Sequence, residues 1–461
     1  MSTLDALRDT GAALSRFTER WVPDAWVVCM ALTALALGLA IFGAGAGLEQ
    51  AVLAWGEGLW NLLELAMQFS IAMVAAHACV SSRPVYSLLD RLAALPDPNK
   101  PLQAVGLAGL ASMLAGYLNW AFCLVACALF VPFILKHNPR ADVRVVIAAA
   151  YAGLGTVWQS GLSSSAPLIL ATPGNPLLEP GSGPPIVDRL YPVTETLFNP
   201  FNLLYAVLMG AIGLAAALAL HPRRGAQTAT PAEVEAILPR PPEPEPVPDT
   251  PAGRIDAFRG WSVLAVALLA YPLAHAIATR GFGTSWTINA YNTVFLAAAL
   301  ALHGSPLAFL RACRDGVGAA WGIIVQFPFY AGIFGLMQNT PLGGWLGQLF
   351  ARFASERSFP LVVYLYSGFL NLFVPSAGSK WLIEAPYLIP AADALGVSTV
   401  TVVLAYAYGD STTNLIQPFW ALPMLAVTRR RFGDVVGYTF LIALACLAAN
   451  VLLMLLIPTR W

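Results

Sequence analysis

"NLFVPSAGSKWLIEAPYLIP", residues 371–390, lies in one of the most apolar parts of a 461-residue chain. A lysine, a glutamate and a Pro-Ser-Ala-Gly-Ser run interrupt what would otherwise be an easy membrane-spanning helix. Breaking a helix in hydrocarbon leaves backbone N–H and C=O groups unpaired, at several kcal/mol each. Such a break survives only where protein or a water-filled cavity covers it. The stretch therefore predicts a polar chamber inside a membrane protein.

The rest of the chain agrees. Hydrophobic residues make up 58% and charged residues 11%, a balance that fits a polytopic membrane protein and no soluble fold of this length. Net charge is zero, which excludes a basic field for nucleic acid. The cysteines Cys29, Cys79, Cys123, Cys127, Cys313 and Cys446 lie in or beside apolar segments and read as small core hydrophobes. Cys123 and Cys127 share a helix face, but no second ligand pair accompanies them, so no metal is expected. No G-x-x-x-x-G-K-[ST] loop occurs, which argues against an ATP-driven pump on this chain. Residues 1–20 are polar, and the long apolar run after them reads as a retained span rather than a cleaved signal.

A helix crosses the ~30 Å hydrocarbon core with ~20 residues. On that ruler, spans are predicted at about 22–45, 55–80, 143–171, 197–220, 259–279, 285–303, 315–338, 399–427 and 433–457. Two further apolar stretches, 102–135 and 359–392, exceed one crossing and carry Gly, Pro, Asn or Ser near the middle; each reads as a re-entrant hairpin. With this arrangement most Lys and Arg fall on one side, leaving Arg189, Arg280, Arg352, Arg357 and Arg460 on the other and Lys380 within the membrane. The positive-inside rule then puts the amino terminus in the cytoplasm and the carboxyl terminus outside. Residues 221–258, rich in Pro and Glu, read as a cytoplasmic linker.

The two sides of that linker repeat each other. "QFSIAMVAAHACVSSRPV" (68–85) echoes "QFPFYAGIFGLMQNTPL" (326–342), and "YLNWAFCLVACALFVPFI" (117–134) echoes the opening stretch, Asn119 matching Asn371. "AYAGLGTVWQSGLSSSAPLI" (150–169) echoes "AYAYGDSTTNLIQPFWALP" (405–423). An odd number of crossings separates equivalent elements, so the copies are expected to be inverted, a secondary-carrier signature. The expected fold class is all-α: an inverted repeat of about nine transmembrane helices and two re-entrant hairpins. Its parts are a first repeat 1–220 with hairpin 102–135, the linker 221–258, an extra span 259–284, and a second repeat 285–461 with hairpin 359–392.

Broken helices expose N–H groups at one new end and carbonyls at the other, favouring anions and cations respectively. The candidate substrate-binding residues are those near the breaks: Asn119, Trp120, Ser163, Ser164, Ser165, Asn371, Ser376, Gly378, Ser379, Lys380, Thr413, Asn414 and Gln417. Small hydroxyls and amides of this kind suit a small carboxylate and a desolvated cation. Asp410, with Ser411 and Ser160, is the candidate ion-coupling set, because an ionisable group at mid-membrane is a functional candidate by default. Lys380 has two readings: it pairs with Glu384 four residues on, or it serves as an anion partner or as a fixed cation in place of a transported one. Trp158, Trp381 and Trp420 read as cavity wall or as packing. An intramembrane enzyme would need a nucleophile–base pair, and "GLSSS" (161–165) lacks the second glycine of a nucleophile elbow. No catalytic residue is expected.

"TPGNP" (172–176), "VQFPFYAGI" (325–333), "NLFVPSAGSKW" (371–381), "IPAADALG" (389–396) and "QPFWALP" (417–423) resemble the bacterial short-chain fatty acid transporter family, of the acetoacetate and butyrate uptake type, within the larger ion transporter superfamily. The resemblance implies an inner-membrane carrier of short monocarboxylates with no cofactor beyond a coupling cation, sodium or proton. It also implies a scaffold domain, a moving transport domain holding both hairpins, and the homodimer that carriers of this superfamily often form. The chain departs from the family at Ala377–Gly378–Ser379, where a glycine run is usual, at Lys380, at Glu384–Ala385 and near Thr412. Substrate alternatives within the same fold, export included, remain open on those departures.

Overall fold

A computed structural model gives the fold and describes residues 25–179, 184–222, 225–240, 247, 249–374 and 376–461. Among these there is no strand, and nine helical stretches are long and apolar enough to cross a membrane. The polar amino-terminal stretch and linker residues 241–246 lie outside the described residues.

The first helices are α1 (Ala25–Gly38, continued by a π-helical turn Leu39–Gly43), α2 (Leu48–Gly58), α3 (Leu63–Val80) and α4 (Arg83–Ala93). Next come α5 (Pro101–Leu118), α6 (Trp120–His137), α7 (Val143–Thr156), a 3-10 turn Trp158–Ser160, α8 (Ser165–Ala171) and α9 (Pro200–Ala219). The linker holds α10 (Pro231–Ile237) and α11 (Pro251–Asp256). After it run α12 (Arg259–Arg280), α13 (Phe282–Ser285), α14 (Ile288–His303), α15 (Pro306–Asn339) and α16 (Leu342–Phe353). The chain ends with α17 (Phe359–Asn371), α18 (Ala377–Leu395), α19 (Thr399–Thr413), a 3-10 turn Asn414–Ile416, α20 (Pro418–Thr428) and α21 (Phe432–Leu456).

Leu110, Leu114, Val207, Leu268 and Leu452 are exposed on these helices, as expected where lipid rather than water is the neighbour. The core packs backbone against backbone. A Cβ on Gly153 would lie 2.0 Å from the Ser112 carbonyl oxygen, and one on Gly409 would lie 2.2 Å from that of Tyr364. The first contact seats α5 on α7, and the second seats α17 on α19. Gly58 and Gly335 bring α2 and α15 together in the same way. Small residues at such crossings let helices approach closely where no hydrophobic drive from water exists.

The breaks fall where the sequence places them, and two of them carry their own caps. Asn119 alone separates α5 from α6, and its side-chain oxygen accepts from the Phe122 N–H at 2.8 Å. Gln417 does the same for α20, accepting from the Trp420 N–H at 3.3 Å. Such caps replace the water that is absent at this depth. Both arms around Asn119 meet the length and composition of a crossing, so they are longer than a shallow dip requires. The single expected span 399–427 is two helices joined by the 3-10 turn, and the expected span 315–338 sits inside a longer α15. The linker is more ordered than its composition suggests: α10 opens with a Thr230/Glu233 capping box and packs on α6.

Helices α2, α3, α14 and α15 pack on one another, while α5 to α9 and α17 to α21 form a second group. The two groups meet where α15 lies on α18 and α3 lies on α6.

Candidate functional site

Four helix starts face one cavity at that meeting surface. Its volume is about 100 Å³, and Trp120 of α6, Ser376 to Gly378 at the start of α18, Trp420 of α20 and Ser165 line one side. Phe69 and Met73 of α3, with Gly322, Gln326, Phe327 and Tyr330 of α15, line the other. Trp120, Trp158 and Trp420 form a closed trio with ring centroids 5.6 to 6.1 Å apart. The wall is mainly aromatic, which suits a short alkyl chain.

The polar end is the start of α18. No side chain caps it, unlike the starts of α6 and α20. Its first backbone N–H groups and the positive end of its dipole are therefore available to an anion. In the first two turns of α18 the Ser379 hydroxyl and the Trp381 indole N–H are buried without a hydrogen-bond partner among the described residues.

Behind the cavity lies a charged cluster. Lys380 Nζ is 3.2 Å from Glu384 Oε1 and 3.2 Å from Asp410 Oδ1. It also donates to the Ser367 carbonyl oxygen at 3.2 Å and sits 4.0 Å above the Tyr406 ring. The Ser367 hydroxyl donates to Glu384 Oε2. All three charged side chains are buried, and Lys380 does not line the cavity. Of the two readings of Lys380, pairing with Glu384 is present in the structure and is joined by pairing with Asp410.

A chain of hydrogen bonds connects cluster and cavity. Gln159 Nε2 donates to Asp410 Oδ2 at 2.8 Å, and Gln159 Oε1 accepts from the Ser164 hydroxyl at 2.9 Å and the Ser165 N–H at 3.2 Å. Ser165 is a cavity residue. Asn371 Nδ2 bridges the Asp410 carbonyl, the Thr413 hydroxyl and Asn414 Oδ1, at 2.7 to 3.0 Å. Thus the two halves of the chain share one polar network.

The residues expected from sequence divide accordingly. Trp120, Ser165, Ser376 and Gly378 line the cavity, and Ser379 lies beside it. Asn119, Ser163, Ser164, Asn371, Thr413, Asn414 and Gln417 brace the broken backbone: Ser163, for instance, accepts the Trp120 N–H at 2.9 Å. Asp410 sits in the cluster, whereas Ser411 donates to the Leu154 carbonyl at 3.3 Å and the Ser160 hydroxyl is unpartnered. Sequence reading did not select Gln159, Ser367, Tyr406, Phe69 or Phe327 for the site. The two phenylalanines stand in the matched "QF" pairs of the repeats, which was the available signal. No group of three or more metal-ligating side chains occurs among the described residues.

Comparison with known proteins follows the same lines. The sequence model of the family described as "Short chain fatty acid transporter" matches residues 6–457. A protein of Escherichia coli (strain K12), provisionally named a short-chain fatty acid transporter, is 36% identical over 92% of this chain and 94% of its own. A counterpart from Haemophilus influenzae with the same provisional name is 32% identical over the same shares. Among solved structures, the YdaH transporter of Alcanivorax borkumensis, described as having an unusual topology, superposes with a TM-score of 0.60 at 16% identity, covering 94% of this chain and 98% of that one. MtrF of Neisseria gonorrhoeae, described within a class of antimetabolite efflux pumps, gives 0.55 at 14% identity, over 96% and 97%. These two show the fold alone; the family match and the closer relatives show what kind of protein this is, a transporter rather than an enzyme. The chain belongs to the short-chain fatty acid transporter family.

Proposed function

We propose that this protein is a secondary active transporter that carries a short monocarboxylate, of the butyrate or acetoacetate type, across a bacterial inner membrane. The observation that carries the reading is the uncapped start of α18 opening on an aromatic cavity of about 100 Å³. The helix start suits a carboxylate and the tryptophan trio suits a short chain. A cavity this small favours a few carbons over a drug-sized anion.

Transport is coupled to a cation in this reading, because an anion entering alone works against about 2.3 kcal/mol per charge per 100 mV. The cavity lies between two packed groups of helices, so alternating access follows from one group moving against the other, with α5–α9 and α17–α21 as the mover. The inverted repeat with re-entrant hairpins, the cytoplasmic amino terminus and the homodimer belong to the same proposal. A carrier of the same fold that exports, or that takes another small anion, is the second reading; the buried Lys380–Glu384 pair, at two positions where the chain departs from its family resemblance, favours it.

Purified protein in proteoliposomes with labelled butyrate tests the first reading. Uptake above that of protein-free vesicles is expected under an imposed cation gradient. Uptake equal to the protein-free control under both sodium and proton gradients overturns it.

A further inference from the structure

The charge count of the buried cluster is unequal: two carboxylates, Glu384 and Asp410, face one ammonium, Lys380. Both carboxylates have hydrogen-bond donors, from Ser367 and Gln159, but these are neutral and leave one negative charge uncompensated. The other titratable neighbours of the three groups among the described residues are phenols: Tyr366 from α17, Tyr387 from α18 itself and Tyr406 from α19. Among the described residues no further Lys, Arg or His pairs with the cluster from α7, α8, α15, α16 or α21. Bringing a second negative charge close to the uncompensated one is unfavourable unless something neutralises the first.

A metal cation is poorly placed to do so. The space between the two carboxylates, the Ser367 carbonyl and the Tyr406 ring is already filled by the Lys380 ammonium, at 3.2 Å from each oxygen and 4.0 Å from the ring centre. A proton needs no such space. It adds directly to a carboxylate oxygen and leaves a neutral cluster of one ammonium, one carboxylate and one carboxylic acid.

The position of the cluster links that proton to the substrate. Lys380 follows Ser376, Ala377 and Gly378 at the start of α18, so an anion held there sits within about one helical turn of it, ~5.4 Å along the axis. A new negative charge at that distance in a medium of low dielectric favours protonation of the carboxylate pair. The Asp410–Gln159–Ser165 chain offers a second connection between the same two places. We infer that the Lys380–Glu384–Asp410 cluster takes up one proton for each carboxylate bound, with Lys380 standing as a resident cation that makes sodium unnecessary. This rests on the carboxylate-carrier reading above.

Butyrate binding to detergent-solubilised protein, followed by calorimetry and by fluorescence of the cavity tryptophans, separates the two ideas without passive leak across a bilayer. Between about pH 6 and 8, where a short carboxylic acid is ionised throughout, wild-type affinity is expected to weaken as pH rises, approaching tenfold per unit, with proton uptake approaching one per butyrate. Replacing sodium chloride by choline chloride is expected to change nothing. Glu384→Gln makes the cluster permanently neutral, so its butyrate affinity is expected to be flat with pH and its proton uptake absent. Asp410→Asn serves the same purpose should the first variant misfold, and the wild-type pH and sodium profiles decide the matter without either variant. Binding that is independent of pH, or that needs sodium, overturns the proton assignment and leaves the carrier reading standing. Absence of butyrate binding at every pH overturns the carrier reading and this inference with it.

Discussion

Phe69 and Phe327 lie side by side on one wall of the cavity with ring centroids 5.9 Å apart. Each follows a glutamine, in "QFS" and "QFP", so two positions that echo each other in the sequence also touch in space.

That contact leads to a sharp expectation at Gly378. A Cβ there would lie 2.6 Å from Phe69 Cε2, so the start of α18 touches the ring only because it is a glycine. Gly378→Ala is expected to cut butyrate transport roughly tenfold, in line with an overpacking cost of about 1–3 kcal/mol, while the protein still elutes as a single folded species. Combining it with Phe69→Leu should return part of the activity. Labelled uptake in proteoliposomes measures both, and a fully active single variant would place the substrate elsewhere.

Glycines at the helix crossings should behave differently from glycines in open space. Gly153→Ala and Gly409→Ala put a methyl carbon at 2.0 and 2.2 Å from a backbone oxygen of the neighbouring helix, which no side-chain rotation relieves. Each is expected to abolish recovery of folded protein, as judged by size-exclusion chromatography in detergent. Gly344 and Gly433 have nothing within 4 Å of an added Cβ, so Gly344→Ala and Gly433→Ala should be recovered like wild type. Equal recovery of all four variants would mean that these close crossings are not what holds each helix pair together.

These residues also show what sequence could and could not reveal. The breaks at Asn119 and near Ser376 were legible because polar and helix-breaking residues in an apolar run cost too much in hydrocarbon to be incidental. Asn371 was legible as a polar residue at a break, but read as a substrate ligand, whereas its amide is occupied by Asp410, Thr413 and Asn414. Lys380 was visible as a charge, yet its third partner was not, since Asp410 is thirty positions away in sequence and joins only when α18 and α19 pack. Gln159 looked like one polar group among several serines; its link to Asp410 crosses from one half of the chain to the other. Phe69 and Phe327 were hidden because an aromatic residue in a membrane helix is ordinary until its neighbours are known. The order of the linker was hidden too, because Thr230 and Glu233 form a cap only once α10 has a surface to rest on.

Removing the cation of the buried cluster should be far more damaging than removing a carboxylate. Lys380→Met leaves Glu384 and Asp410 facing each other without a counter-charge, a situation that typically costs about 3–5 kcal/mol. A large fall in the thermal midpoint is expected. Lys380→Met combined with Glu384→Gln leaves a single carboxylate and should melt well above Lys380→Met alone. A melting temperature for Lys380→Met equal to wild type would mean that the carboxylates are neutral in the folded protein and that the cluster carries no ionic pairing.

At the linker-side end of α7, Asp142 gives a pH dependence independent of the transport site. Burial by itself would raise its carboxyl, but the Arg144 guanidinium and the Gln227 and Val145 N–H groups outweigh that and hold it below the ordinary carboxylate range. Arg144 Nη2 lies 2.8 Å from Asp142 Oδ2, which also accepts the Gln227 N–H at 2.8 Å, and the Gln227 carbonyl accepts the Val143 N–H at 2.9 Å. One carboxylate thus caps α7 and pins the start of the linker. Because its folded-state value lies below the unfolded one, near 3.9, its contribution is complete above that value and is lost as pH falls through the folded-state value. Asp142→Asn should remove roughly 1–3 kcal/mol at neutral pH, and its stability should then change less than wild type's on acidification below about pH 4. Hydrogen exchange at the Gln227 amide is the local readout: in wild type it should stay protected at neutral pH and open on acidification, while in the variant it should be open throughout. Protection of that amide in Asp142→Asn at neutral pH would show that the linker is held by α10 packing on α6 and not by this carboxylate.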